Sequence, residues 1–180
     1  MSPAVTRTRE LVDRLTHAGV VGLPVRPVLA TDVEDVVAFS VRAWAPVFAS
    51  FEQMLGRDVF LRLYPDWPST QAQAVRAVCL SGKASVWVAQ ADGRPAGFVA
   101  VLVDPEASTG EVDMIAVDPD HQRRGIGGAL TELAVEYIRR SGCSLAVIAT
   151  GGDPGHAPAR RTYERAGFTA LPLVRYYKKL

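Results

Sequence analysis

One stretch of the chain, residues 111–130, combines residue types that bind phosphate. An apolar, strand-like segment is followed by a polar turn, a glycine-rich elbow and the start of a long amphipathic segment. The elbow glycines are Gly125, Gly127 and Gly128. They leave backbone N–H groups open to a ligand. The helix that follows would present unpaired N–H groups and partial positive charge, and Arg123 and Arg124 would add full charge. The pattern predicts a phosphate site at the start of this helix.

Two other phosphate-binding patterns do not fit the same stretch. The chain has no Gly-x-x-x-x-Gly-Lys-Ser/Thr sequence, and Leu130 stands where the dinucleotide pattern Gly-x-Gly-x-x-Gly requires its last glycine. One structural alternative stays open. The stretch could be a plain strand–turn–helix connection whose glycines serve packing.

The elbow resembles a known signature. Gln122-Arg-Arg-Gly125-Ile-Gly127 is similar to the Gln/Arg-x-x-Gly-x-Gly/Ala motif of the GNAT superfamily of N-acetyltransferases. The resemblance implies that the elbow holds the pyrophosphate of acetyl-CoA and that the pantetheine arm bonds to main chain at Ile115 and Val117. The implied cofactor-binding residues are Ile115, Ala116, Val117, Gln122, Arg123, Arg124, Gly125, Ile126, Gly127, Gly128, Ala129 and His156. No metal is implied.

A second signature lies near the C-terminus. Tyr163-Glu-Arg-Ala-Gly167-Phe168 resembles the helix end that lines the other side of the cofactor cleft in the same family. One position departs from the pattern, because His156 stands where the family often has asparagine. The helix cap and its pantetheine contact are therefore open, and His156 could face either the cofactor or the acceptor.

The chemistry implied by the resemblance is attack of a primary amine on the acetyl thioester. An alkylammonium has a pKa near ~10.4, so a base must remove its proton at neutral pH. Glu111 is the first candidate, because some family members carry Glu eleven residues before the elbow glutamine. Asp113 is the second, since alternation along the strand would place it on the same face as Glu111. If that face is apolar, it would raise the pKa of a carboxylate toward a value that suits a general base. Either could instead be a solvated strand-end carboxylate.

The remaining catalytic tasks fall to two further groups. Tyr163 is the candidate acid for the departing thiolate, as in the family, although a core tyrosine is the alternative. The backbone N–H of Val117 is a candidate donor to the developing oxyanion. Asp104, Glu106 and Asp153 fall in loops and are expected to be solvated.

The periodicity of the chain predicts the elements that must position these residues. The expected strands span 23–29, 84–90, 95–103, 111–117 and 144–150, with a closing strand pair over 168–177 bent at Pro172. The expected helices span 31–44, 69–80, 124–141 and 158–166. An Asp92-Gly93 turn predicts a hairpin. The class is α/β, a GNAT-like mixed, mostly antiparallel twisted sheet with helices on both faces.

The composition of the chain indicates its domain organisation and excludes some classes of partner. The 180 residues, 48% hydrophobic with net charge +1, suit one domain over 21–180, preceded by a helical appendage over 1–20. The charge balance does not favour nucleic acid, and no apolar run reaches membrane-spanning length. With two separated cysteines and no signal-peptide pattern, a cytoplasmic protein is expected.

The aromatic residues between 44 and 67 favour a small-molecule amine as acceptor, although each ring could simply be core. A protein lysine or N-terminal acetyltransferase and a non-catalytic acyl-CoA-binding module are the alternatives. A homodimer is possible from the resemblance alone.

Overall fold

A five-stranded sheet organises the structure, a computed structural model that describes residues 23–180. The expected N-terminal helix of residues 1–20 lies outside these residues. The strands are β1 (Val25–Pro27), β2 (Ser85–Ala91), β3 (Arg94–Asp104), β4 (Thr109–Val117) and β5 (Leu145–Ile148). They lie side by side in chain order. The first four are antiparallel, and β5 pairs parallel to β4.

Five α-helices accompany the sheet in the described part of the chain. They are α1 (Val33–Leu55), α2 (Arg57–Leu63), α3 (Trp67–Leu80), α4 (Ile126–Arg140) and α5 (Ala157–Arg165). One sheet face packs against α4 through Ile126, Leu130 and Ile138. The other face packs against α1 and α3 through Val36 and Val75. The predicted mixed sheet with helices on both faces is confirmed, as are the hairpin at Asp92-Gly93 and the central position of β3.

Helix α1 is longer than the sequence predicts. It was expected to end near Trp44, before Pro46, but it continues to Leu55 with Pro46 inside it. A proline within a helix removes one hydrogen bond and costs about 3 kcal/mol. Burial of Val47 and Phe48 beyond the proline offsets this cost, because each buried apolar side chain contributes about 1.5–3 kcal/mol. Tertiary packing therefore overrides the local stop signal.

The closing strand pair expected over 168–177 is wrong. Residues 166–180 form no helix or strand, and Leu171 and Leu173 are each 82% exposed. The last residues instead run past α2, where Lys179 Nζ lies 2.8 Å from Asp58 Oδ2. A strand requires a partner for its backbone as well as β-forming residues. The apolar pattern of this segment indicated residues suited to a strand, but it could not show whether a neighbouring strand is there to pair with them.

None of the helices within residues 23–180 is both long enough and apolar enough to cross a membrane.

Candidate active site

The sheet opens between β4 and β5. Their parallel pairing ends at Val112 opposite Ile148, whereas β4 continues to Val117. The N–H of Asp118 donates to Ala96 O on the β3 side at 2.9 Å. Because successive peptide groups alternate direction along a strand, the backbone groups of Val117 and Ile115 point away from β3. A ligand at this edge would therefore meet main-chain donors and acceptors that have no strand partner on that side, although the Val117 carbonyl already accepts from Gln122 Nε2.

A β-bulge interrupts β4 at the same place. Ala100 pairs with Met114 and the next residue of β3, Val101, pairs with Val112, so Asp113 has no partner on β3. A bulge bends a strand and increases its local twist. The opening of the sheet thus coincides with a built-in irregularity of β4.

The elbow after β4 holds an unusual backbone. Arg123 and Gly125 have positive φ angles of 60° and 83°, and Gly125 is the N-cap of α4. The N–H of Ala129 donates to Gly125 O at 3.0 Å. Before it, the N–H groups of residues 123–128 have no acceptor among the described residues. Such an array of free donors at a helix N-terminus binds anions.

The elbow glycines differ from those that serve packing. A β-carbon at Gly128 would meet nothing within 4 Å, and one at Gly127 would lie 3.7 Å from Val117 Cγ2. By contrast, a β-carbon at Gly97 on β3 would lie only 2.9 Å from Ile126 Cγ2. Packing therefore does not require glycine at 127 or 128, and their bare backbone keeps space open in front of the N–H groups.

An ion pair that the sequence did not indicate anchors the turn before the elbow. Arg42 of α1 donates from Nη2 to Asp118 Oδ1 at 2.7 Å and from Nη1 to Asp120 Oδ2 at 2.9 Å. Hydrogen bonding to Arg42 lowers the pKa of Asp120. Arg42 is 76 and 78 residues from these carboxylates, so no local pattern could reveal the pair.

Tyr163 lies on α5 and is 9% exposed. Its ring meets Phe168 edge to face at 6.4 Å between centroids. Burial raises the pKa of the Tyr163 hydroxyl to about 12. The phenol is protonated at neutral pH, as an ordinary tyrosine is, and its burial makes it a weaker acid.

The two carboxylates expected to act as bases are in open positions. Glu111 and Asp113 are both exposed, and neither side chain forms a hydrogen bond or ion pair within residues 23–180. Glu111 lies in the part of β4 that still pairs with β5, opposite Val147. Neither has the apolar surroundings on which the general-base hypothesis depended.

Four rings form an aromatic wall beside the loop that follows β5. The wall consists of Phe48, Phe51, Tyr64 and Trp67. Phe48 stacks on Trp67 at 4.2 Å and Phe51 stacks on Tyr64 at 5.7 Å, measured between ring centroids. Phe48 is buried, whereas the other three rings are partly exposed, so one side of the wall remains open to a ligand.

His156 continues the wall and pairs with a buried carboxylate. Its ring centroid lies 5.7 Å from that of Phe51, and its Nδ1 lies 2.5 Å from Asp153 Oδ1. Asp153 is only 4% exposed, so the expectation that it is solvated is wrong. Burial raises the pKa of the Asp153 carboxyl, but hydrogen bonding to His156 outweighs this effect and holds that pKa below its usual range.

The opened sheet and the free helix N-terminus define an α/β protein with an anion-binding cleft at the carboxyl ends of its parallel strands. Residues 51–168 match the model described as the acetyltransferase (GNAT) family. The chain belongs to the GNAT acetyltransferase family.

Sequence relatives include two mycothiol acetyltransferases. That of Beutenbergia cavernae is 36% identical over 93 residues, which are 51% of this chain and 31% of the relative. That of Thermomonospora curvata is 33% identical over 103 residues, which are 57% of this chain and 34% of the relative. The chain thus spans about a third of the length of these relatives.

Solved structures share the fold. A putative acetyltransferase of the GNAT family from Desulfovibrio desulfuricans superimposes with a TM-score of 0.60 at 26% identity, covering 83% of this chain and 87% of the other. An aminoglycoside N-acetyltransferase in complex with CoA has a TM-score of 0.56 at 18% identity, covering 87% and 94%. The second likeness concerns the fold alone.

Proposed function

We propose that this protein is an N-acetyltransferase that transfers the acetyl group of acetyl-CoA to a primary amine of a small molecule, by direct attack within a ternary complex. One observation carries the proposal. The unpaired N–H groups of residues 123–128 lie beside the open edge of β4, which is the arrangement that a diphosphate with a long amide-bearing arm requires.

The cofactor follows from this arrangement. The N–H groups of the elbow, with the charges of Arg123 and Arg124, hold the pyrophosphate. The pantetheine amides then bond to the outward-facing backbone groups of Ile115 and Val117. Gln122 supports this edge, because its Nε2 donates to Val117 O at 3.1 Å.

The chemical groups take three roles. The N–H of Val117 donates to the oxyanion, and Tyr163, protonated at neutral pH, gives a proton to the departing thiolate. Glu111 and Asp113 are the carboxylates that the sequence favours as bases, with Asp113 nearer the sheet opening. Both side chains are exposed, so burial does not favour one of them over the other as the base.

The acceptor is proposed to be small. The partly exposed rings of the aromatic wall provide apolar surface for it, and the sequence relatives are named as acetyltransferases of a small molecule, mycothiol. Acetylation of a protein amine and non-catalytic binding of an acyl-CoA are the outcomes that would replace this proposal.

A homodimer is part of the proposal. β5 is the last strand of the sheet, and Leu145 and Val147 on it are 57% and 37% exposed. An open strand edge with apolar side chains favours pairing with another chain. Size-exclusion chromatography with light scattering tests the proposed dimer, and a monomer at high concentration would contradict it.

Titration calorimetry with coenzyme A tests the cofactor assignment. The wild-type protein should bind it, and Gly128→Val should weaken binding about 10- to 100-fold, because one or more charge-assisted hydrogen bonds of ~1.5–3 kcal/mol are blocked. A β-carbon at this position meets nothing within 4 Å, so the melting temperature serves as the control for intact folding. Unchanged affinity in a folded variant would contradict the assignment.

Turnover is tested separately by following release of coenzyme A from acetyl-CoA with phenethylamine, glucosamine and neamine as acceptors, and with a lysine-containing peptide as the protein-type alternative. Acetylation of one of the small amines supports the proposal. Binding of the cofactor without acetylation of any acceptor favours the non-catalytic module, and activity on the peptide alone favours a protein acceptor.

A further inference from the structure

The Asp153–His156 pair has the form of an oriented base. The Nδ1 atom of His156 lies 2.5 Å from Asp153 Oδ1, which leaves Nε2 without a partner among the described residues. A carboxylate beside Nδ1 holds the ring proton on that nitrogen, so that the lone pair of the neutral ring lies on Nε2. The free nitrogen is thereby prepared to accept a proton.

The support of this pair comes from several elements. The backbone N–H of His156 donates to Asp153 Oδ2 at 3.3 Å, and Arg160 of α5 donates to the carbonyls of Gly151 and Asp153 at 2.6 and 2.8 Å. The N–H of Gly155 donates to Ser50 Oγ of α1 at 3.2 Å. The loop is therefore held between α1 and α5, and the Asp153 carboxylate cannot turn away without losing its hydrogen bonds to His156.

His156 lies beside the aromatic wall, the surface proposed to bind the acceptor. The loop follows β5 at the end where the sheet opens, and the ring packs against Phe51 of the aromatic wall. His156 is the N-cap of α5 and precedes Tyr163 by seven residues, a spacing of about two helical turns that favours placing both side chains on one side of the helix. A base and an acid on one face can approach the two ends of the same reacting group.

We infer that His156 is the general base of the acetyl transfer, that its Nε2 removes a proton from the acceptor ammonium, and that Asp153 is the residue that positions it. This inference rests on the proposed function. It replaces Glu111 and Asp113 in that role, since both are exposed and unpaired within residues 23–180. It also assigns His156 to the acceptor rather than to the cofactor.

The protons balance as follows. His156 takes one proton from the ammonium, and the free amine attacks the thioester carbon to form the new C–N bond. The tetrahedral intermediate then collapses with cleavage of the C–S bond. Tyr163 gives its proton to the sulfur and takes the second proton of the nitrogen, while the third stays on the amide. The imidazolium releases its proton to solvent.

Three charged or titratable side chains within residues 23–180 are connected to the His156 ring directly or through one neighbouring group. They are Asp153 in its own loop, Arg160 on α5, and Tyr64 behind Phe51. Burial raises the pKa of Tyr64 and so keeps its hydroxyl neutral. Asp153 is thus the negative charge closest to the ring, and it stabilises the imidazolium that forms during the reaction.

The test replaces His156 with asparagine, whose amide nitrogen can still donate to Asp153 but which has no counterpart to Nε2. With the best of the probe amines, kcat/KM near neutral pH should fall about 10²- to 10⁴-fold. The loss should shrink as the pH approaches the pKa of the amine itself, because free amine no longer needs a base. The dissociation constant of coenzyme A and the melting temperature should not change.

Two neighbouring glycines provide a matched pair of further variants. A β-carbon at Gly151 would lie 2.6 Å from His156 Nδ1, whereas one at Gly152 would meet nothing within 4 Å. Gly151→Ala should therefore disturb the pair and reproduce the pH-dependent loss in part. Gly152→Ala should retain wild-type turnover.

The outcomes separate the two proposals. A loss of activity in His156→Asn that is the same at every pH would indicate a structural role and overturn the base assignment alone, as would a weakened affinity for coenzyme A that explains the whole loss. A wild-type protein that acetylates no probe amine would overturn both proposals. Nitrogen-15 NMR of the wild-type ring gives an independent check, because a neutral ring protonated on Nε2 would also contradict the inference.

Discussion

Gly97→Ala tests whether the position of α4 controls cofactor binding. A β-carbon at Gly97 would lie 2.9 Å from Ile126 Cγ2 and 3.1 Å from Leu130 Cδ1. Ordinary van der Waals contacts of this kind begin near 3.4 Å, so the first turn of α4 must move by about 0.5 Å. Overpacking of a core typically costs about 1–3 kcal/mol of stability.

The same displacement should reach the ligand, because Ile126 is the first residue of α4 and follows the elbow. Hydrogen bonds from the elbow N–H groups to the pyrophosphate depend on this position. Loss of one charge-assisted hydrogen bond is worth about 1.5–3 kcal/mol. We therefore expect the dissociation constant of coenzyme A to rise at least about tenfold.

Gly110→Ala is the matched control, because Gly110 of β4 packs against Ile138 near the other end of the same helix. Its β-carbon would lie 2.5 Å from Ile138 Cγ1, so that variant should lose comparable or greater stability. Ile138 is twelve residues from Ile126, about 18 Å along the helix. The affinity for coenzyme A should therefore change by less than about threefold.

Calorimetric titration of coenzyme A and urea unfolding of both variants decide the matter. If the two substitutions weaken binding equally for equal losses of stability, then reduced stability alone explains the weaker binding. That result would refute the argument that the position of α4 controls cofactor binding. If Gly97→Ala binds coenzyme A as the wild type does, the elbow tolerates movement and the reasoning fails as well.

Three further predictions follow from other contacts. Asp32 is buried and receives two hydrogen bonds from Arg26, which lower the pKa of its carboxyl in the folded protein. The carboxylate therefore stabilises the fold above the pKa that Asp32 has in the unfolded chain, and this stabilisation is lost as the pH falls through the lower pKa of the folded protein. Asp32→Asn should thus lose about 1–3 kcal/mol in urea unfolding at pH 7 but much less near pH 3, and an equal loss at both would contradict this. Arg42→Met should raise the dissociation constant of coenzyme A several-fold by freeing the turn before the elbow, with acetyl-transfer KM as the second readout, and unchanged values would show that the ion pair is dispensable. Tyr163→Phe should lower kcat about 10²-fold with cofactor binding retained, and normal turnover would remove the acid role.

Much of the fold could be predicted because its signals are local. Alternating or continuous apolar residues indicated all five strands, and the Asp92-Gly93 turn indicated the hairpin, since its positive φ angles suit glycine and aspartate. The glycine elbow indicated a free helix N-terminus for the same reason. These features depend on neighbours within a few residues, which the sequence displays directly.

Helix α2 (Arg57–Leu63) was not predicted from the sequence. Two other elements were mispredicted because distant packing decided them. Helix α1 passes through Pro46, where burial of its second half outweighs a local penalty. The C-terminal segment has residues suited to a strand but does not pair within the described chain. In both cases the deciding contacts involve residues far away in the chain.

By itself, the sequence determined the elbow, the five strands and the family, because backbone freedom at glycine and the periodicity of apolar side chains are local properties. Only the tertiary structure decided which polar groups meet. It joined Arg42 to the turn before the elbow, buried Asp153 beside His156, and left Glu111 exposed. Burial and hydrogen-bond partners set the reactivity of a side chain, and both arise only when separate parts of the chain come together.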